Sequence, residues 1–259
     1  MPDRVSNKKI LLIAFLLCIV CSAVVTTATV LLRPIQQANK ILDRQENILE
    51  VAGLLQADQD VAQLIERVET QIVDLDQGWY ADYENPEDYD QRKAAKNPLQ
   101  SIALTPEQDI ARINRRANLA PVYLVKNDQG QVETIVLPMH GYGLWSTLYG
   151  FLALENDTRT VVGITFYEHA DTPGLGGEVD NPKWKALWKG KQVYDDNWSP
   201  AIRLVKGKVA PSAWNARYQV DALSGATLTN RGVENLVNFW LGDDGFGPYL
   251  SNVRRKGGG

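Results

Sequence analysis

The chain has 259 residues, 44% of them hydrophobic, with 27 Lys and Arg against 31 Asp and Glu for a formal net charge of −4. That length supports one or two domains with a substantial core. The acidic balance argues against nucleic acid as a partner, and two histidines with two cysteines inside an apolar run leave no Cys/His metal site.

From Ile10 to Leu32 no charge occurs over 23 residues, close to the roughly 20 that a membrane-spanning helix needs. A cleaved signal peptide has a shorter apolar region and a small-residue cleavage site. No Ala-x-Ala closes this run, so it is read as a retained anchor. Arg4, Lys8 and Lys9 precede it, which holds the N-terminus in the cytoplasm and sends the remainder across, although Arg33, Lys40 and Arg44 oppose that orientation. Residues 1–32 carry those first three cations against Asp3, net +2, leaving −6 for the rest. Cys18 and Cys21 share one face of the span and read as small packing residues.

Beyond the anchor, Ile41, Gln45, Ile48, Ala52 and Leu55 form a helical face until Gly53 and Asp58 to Asp60 interrupt it. Val61, Ile65, Val68 and Ile72 repeat the spacing and predict a second amphipathic helix. The polar stretch 74–98, with Pro86 and Pro98, reads as a surface excursion. Thr105-Pro106-Glu107-Gln108 has the form of a capping box, and Ile110 and Ile113 behind it predict another helix.

From Pro121 the texture changes to short β-branched runs at 122–125, 132–137, 148–154 and 161–167. Asn127 to Gly130 and Asn156 to Thr158 separate two pairs of them, predicting an antiparallel meander. A helix is expected after Asn181-Pro182, with Trp184, Leu187 and Trp188 on its inner side. Val233, Leu236, Val237, Trp240 and Leu241 give the buried face of a last helix.

Three glycine-rich loops interrupt this α+β layout: His140-Gly-Tyr-Gly-Leu-Trp-Ser146, Asp171-Thr-Pro-Gly-Leu-Gly-Gly177 and Asp221-Ala-Leu-Ser-Gly-Ala-Thr227. Glycine allows close approach to the main chain, and it also simply makes turns. In the third loop, a helix starting near Thr227 to Asn230 turns its free N–H groups and positive dipole end toward whatever precedes it, which favours a phosphate. A hydroxyl there can cap the helix, hydrogen-bond a phosphate or become esterified to one. On physical grounds alone the cap is the expected role.

Asp221-Ala-Leu-Ser224-Gly225-Ala226-Thr227 resembles the Asp-x-x-Ser/Thr-Gly-Ala-Thr flavinylation motif of the FMN-binding domain family, matching every defined position. Residues 172–182 and 141–143 resemble companion signatures of that family, in the expected order. Asn39 to Asp43, Gln45 to Leu49, Val51 to Leu54 and Val73 to Asp76 extend the likeness to the C-type subunits of sodium-translocating NADH:quinone oxidoreductases, over nearly the whole chain. The G-type subunit of the Rnf electron transport complex is the rival reading, and a non-redox exported binding or assembly module is a second.

The resemblance implies a membrane-anchored α+β flavoprotein subunit that relays electrons through FMN during NADH-to-quinone transfer coupled to sodium export. It has no complete active site of its own. It implies a phosphoester to Thr227, formed from FAD by a separate Mg²⁺-dependent flavin transferase. Ser224, Gly225 and Ala226 would lie at the phosphate, with Lys206 and Lys208 as further candidates. Thr172, Leu175 and Gly176 would lie against the ring or ribityl chain, and Trp145 would stack on the flavin or serve as a core aromatic. Glu168 and His169 would hydrogen-bond the cofactor or close the strand end, and Asp221 would serve the transferase. The implied layout is a cytoplasmic N-terminus (1–9), a transmembrane helix (10–32), a helical and irregular part (33–120), an FMN-binding domain (121–250) outside the inner membrane on its periplasmic side, and a basic, glycine-ending tail (251–259). Partners would be the other membrane subunits of the complex.

Overall fold

A computed structural model describes residues 7–55 and 61–257, so Arg4 and the break at Asp58 to Asp60 lie outside the described residues. Helix α1 (Asn7–Val51) takes the apolar run and the first amphipathic stretch into one element of 45 residues, continuing through Pro34. The chain divides into two compact units after Gln45. The first is a helix long and apolar enough to cross a membrane, by length and composition.

The second unit begins with the last turns of α1. A five-residue helix α2 (Val61–Ile65) follows, and then strand β1 (Val68–Asp74). The predicted second amphipathic helix is therefore corrected: Val61 and Ile65 are helical, whereas Val68 and Ile72 lie on a strand. A spacing of four is even, so residues four apart share a face in a strand as well as in a helix. Pairing with a neighbouring strand decides between them. The stretch read as an excursion carries helix α3 (Gln91–Lys96), capped by the Asp90 side chain, with Ala94 buried beneath it.

Strands β2 (Ser101–Ala103) and β3 (Arg115–Ala117) form a small hairpin. Between them the capping box forms reciprocally, Gln108 Oε1 accepting from the Thr105 amide at 3.1 Å and Thr105 Oγ1 from the Gln108 amide at 3.4 Å. No helix grows from it, contrary to expectation. Asp109 accepts the amides of Ile113 (2.7 Å) and Asn114 (2.8 Å). Arg112 and Asn114 take φ of 58° and 63°, left-handed values that end any right-handed run.

The main sheet consists of β1, β4 (Leu119–Lys126), β5 (Val132–Tyr142), β6 (Thr147–Glu155) and β7 (Val161–Glu168), in that order and antiparallel throughout. The four predicted runs are the last four strands. Their unbroken apolar character follows from burial on both faces, because alternate residues enter different cores. Leu124, Ile135, Leu137, Leu152 and Leu154 point into the larger core. Tyr123, Val125, Val136, Phe151 and Ala153 pack with Ile48 and Val51 of α1 and with Ala52 just past its end in the smaller one.

The larger core is closed by α5 (Thr227–Leu241), whose Val233, Leu236, Val237, Trp240 and Leu241 are all buried, and by α6 (Gly247–Gly257), whose Tyr249 and Leu250 are buried. Helix α4 (Pro182–Lys185) and the 3₁₀ turn Ala186–Trp188 bury Trp184 and Trp188. Leu187, predicted on the same side, is exposed: Trp184 and Trp188, four residues apart, share the buried face and leave Leu187 at its edge. A short parallel pair, β8 (Arg203–Val205) and β9 (Gln219–Asp221), leads into α5.

Candidate cofactor site

The first two glycine-rich loops and the helix that follows the third converge on one carboxylate. Asp171, 4% exposed, follows β7 at the head of the second loop. Its Oδ1 accepts the amides of Leu144 (3.4 Å) and Trp145 (3.2 Å) from the β5–β6 loop. Its Oδ2 accepts the Thr229 hydroxyl of α5 at 2.6 Å. Ser146 Oγ adds a tie by accepting the Ala170 amide at 2.7 Å.

Glycine is required where these pieces meet. A Cβ on Gly176 would stand 2.4 Å from Thr229 Oγ1 and 2.6 Å from Asp171 Oδ2, below any real contact. The path reaches Asp171 through a register shift at Tyr149 and Gly150, which re-aims the end of β7. His169 holds the same corner, its Nε2 lying 2.7 Å from Asp180 and its Nδ1 accepting the Asp171 amide at 3.2 Å.

The start of α5 separates two hydroxyls, Thr227 at the end of the third loop and Thr229 within the helix. Thr229 is 1% exposed and committed to Asp171. Thr227, the first residue of the helix, is exposed. The expected hydroxyl cap is not made: Ala226 is the N-cap, and no side chain caps the helix. Asn230 closes the turn instead, its amide accepting from the Leu223 N–H and donating to the Leu223 carbonyl, both at 2.8 Å. Ser224 and Gly225 stay exposed, with Gly225 at φ +72°, and Ala226 is buried. The first turn of a 15-residue helix therefore leaves its N–H end uncapped by side chains beside an exposed hydroxyl, an arrangement suited to an anion.

The other expected residues divide into two groups. Trp145 is 67% exposed and Leu175 46% exposed, and a Cβ on Gly225 would lie 3.1 Å from Leu175 Cδ2, so the second and third loops touch. Thr172 is exposed beside them and Gly176 lies buried under them. Leu228, 53% exposed, is a further apolar side chain at the helix start that the motif did not single out. The second group has structural partners of its own. Glu168 pairs with Arg92 at 2.8 Å, and Arg92 lies 3.3 Å over the Tyr149 ring. Asp221 Oδ1 accepts the Val209 amide at 2.8 Å and so ties down the exposed segment carrying Lys206 and Lys208. His140 is half-buried between Tyr149 and Trp240, and desolvation there, followed by the Arg92 charge, lowers its pKa to about 4.

Residues 143–242 match the FMN-binding domain family. The Na(+)-translocating NADH-quinone reductase C subunit of Pseudomonas aeruginosa is 49% identical, covering 98% of this chain and 99% of that one. Its counterpart from Vibrio vulnificus is 51% identical, covering 99% of each. Among solved structures, Shewanella oneidensis NqrC superimposes with a TM-score of 0.79 at 39% identity, covering 84% of this chain and 99% of that chain. The C-subunit structure from Parabacteroides distasonis gives a TM-score of 0.66 at 25% identity, covering 85% and 97%.

Proposed function

Because the chain belongs to the C-subunit family of Na(+)-translocating NADH-quinone reductases, we propose that it carries FMN esterified through its phosphate to Thr227 Oγ1. In this reading it is an electron-relay station of a sodium-exporting complex. The observation that carries the reading is the division of labour between the two hydroxyls: Thr229 is buried on Asp171, and Thr227 is exposed at an α5 N-terminus that no side chain caps.

The residues present suit the group. The helix start with Ser224 and Gly225 offers donors and an open backbone for the phosphate. Trp145, Leu175 and Leu228 offer exposed apolar surface, and Thr172 and Gly176 border it. Bound FMN supplies the capacity to take up and release electrons, while the protein fixes its place. Attachment is a group transfer from FAD. The Thr227 oxygen forms a bond to the flavin-side phosphorus, the pyrophosphate bond breaks, adenylate leaves, and the hydroxyl proton passes to solvent or to the transferase.

We further assign the periplasmic side to the second unit, on the cations that precede the span, and sodium movement to partner subunits, because the span 10–32 carries no charge. Co-expression with a flavin transferase followed by denaturing electrophoresis tests the attachment. A fluorescent band is expected in the wild type, lost in Thr227→Ala and kept in Thr229→Ser. A band that persists in Thr227→Ala, or a bare wild-type chain, overturns the reading.

A further inference from the structure

A concavity of about 700 Å³ lies away from the three loops and shares no lining residue with them. That volume is within the range of small-molecule sites. Trp79, Tyr80, Trp198 and Tyr249 wall it, and Val132, Ile135 and Val253 add aliphatic surface. Two cations from the last turn of α6 face it. Arg254 lies 4.0 Å over the Trp198 ring, and Lys256 lies 4.6 Å over the Trp79 ring.

The charge in this cleft is one-sided. Arg254 is half-buried, and its hydrogen-bond partners are neutral groups, the Thr158 hydroxyl at 3.0 Å and the Tyr194 phenol. Among the described residues no carboxylate pairs with Arg254 or Lys256. Asp157 is the one acidic residue in the lining, and its oxygens turn into their own loop, accepting the Arg159 amide and the Thr160 amide and hydroxyl. Tyr80 and Tyr249 share one hydrogen bond at 3.0 Å, which uses one of their two hydroxyl protons and leaves the other for a ligand. The charged side chains of the lining sum to a net positive charge, Arg254 and Lys256 against Asp157, and the aromatic walls suit a flat apolar body. A half-buried guanidinium without a carboxylate gains most from an anion that reaches it.

We propose that this cleft is a binding site for a small aromatic anion, its ring against the aromatic and aliphatic walls and its carboxylate or equivalent acid group on Arg254 and Lys256. The ring packs against the aromatic walls beside the two cation-covered indoles, while the guanidinium supplies paired N–H donors.

The full chain in lipid nanodiscs, titrated with 2-naphthoate against empty nanodiscs and followed by calorimetry and tryptophan quenching, tests the assignment. One saturable site per chain is expected. Neutral 2-naphthamide should bind about tenfold or more weakly, as should 2-naphthoate to Arg254→Gln, the loss expected for one charge-assisted hydrogen bond. If Arg254→Gln does not fold, Lys256→Gln, at the rim of the cleft, decides, with a several-fold loss expected. Equal binding of acid and amide, an undiminished affinity in the folded variant, or saturable binding only of an acidic peptide overturns the proposal. Flavin attachment at Thr227 is unaffected by either variant, so failure here is distinct from failure of the electron-relay reading.

Discussion

Both carboxylate oxygens of Asp171 accept from neutral donors, two amides and one hydroxyl, drawn from separate segments of the chain. Removing the carboxylate strands the buried Thr229 hydroxyl and loosens two loops at once, and a buried polar group left without a partner costs about 1–3 kcal/mol. Asp171→Ala is therefore expected to lower the melting temperature by roughly 4–10 °C and to reduce flavin attachment. Asp171→Asn, which keeps an acceptor, should lose less on both counts. Calorimetry and in-gel fluorescence measure the two effects, and an unchanged melting temperature would contradict the cross-linking role. The position was half legible in the sequence, since it opens the Asp171 to Gly177 loop. Its partner was legible by another route: Thr229 and Asn230 are polar residues on the stripe that carries Val233, Leu236 and Val237, and a polar group on a buried stripe needs a partner.

At the scale of elements, α5 is where local preference and packing disagree. Gly232 sits inside the helix, where alanine is favoured by about 1 kcal/mol on propensity alone. A Cβ there would lie 2.6 Å from the Tyr142 carbonyl oxygen and 3.0 Å from Gly143 Cα. Both neighbours are backbone, which cannot step aside without moving the first loop. Packing therefore wins, and Gly232→Ala is expected to destabilise the chain by about 1–3 kcal/mol, read as a lower urea midpoint. A midpoint equal to or above the wild type would show that the loop yields. The capping box at Thr105 carries the same lesson: its two hydrogen bonds form, but Ile110 is 43% exposed and no buried stripe rewards a helix behind it.

For the whole molecule, the apolar part of α1 and the unit from Glu46 onward obey different solvents. The run 10–32 leaves its large side chains exposed in the isolated chain, which water does not favour and a bilayer does. Chain expressed in a bacterial host is expected to stay in the membrane pellet after an alkaline carbonate wash. An alkaline phosphatase fused at its C-terminus should be active, as periplasmic exposure requires. An active phosphatase fusion with a soluble chain argues for cleavage of the span, and an inactive fusion reverses the orientation proposed from Lys8 and Lys9.

The sequence by itself determined the span, the four-strand meander, the buried face of α5 and the match of residues 221–227 to a flavin-attachment motif. These depend on composition, short-range periodicity or a contiguous string of residues, all of which are local. Tertiary structure alone decided that Val68 and Ile72 join a sheet, that Glu168 answers Arg92 76 residues earlier, and that one carboxylate ties two loops to helix α5. It also decided which hydroxyl is buried and which is exposed, since Thr227 and Thr229 differ only in the direction the helix turns them. Those outcomes rest on contacts between residues far apart along the chain, and no local pattern encodes which partner will be waiting.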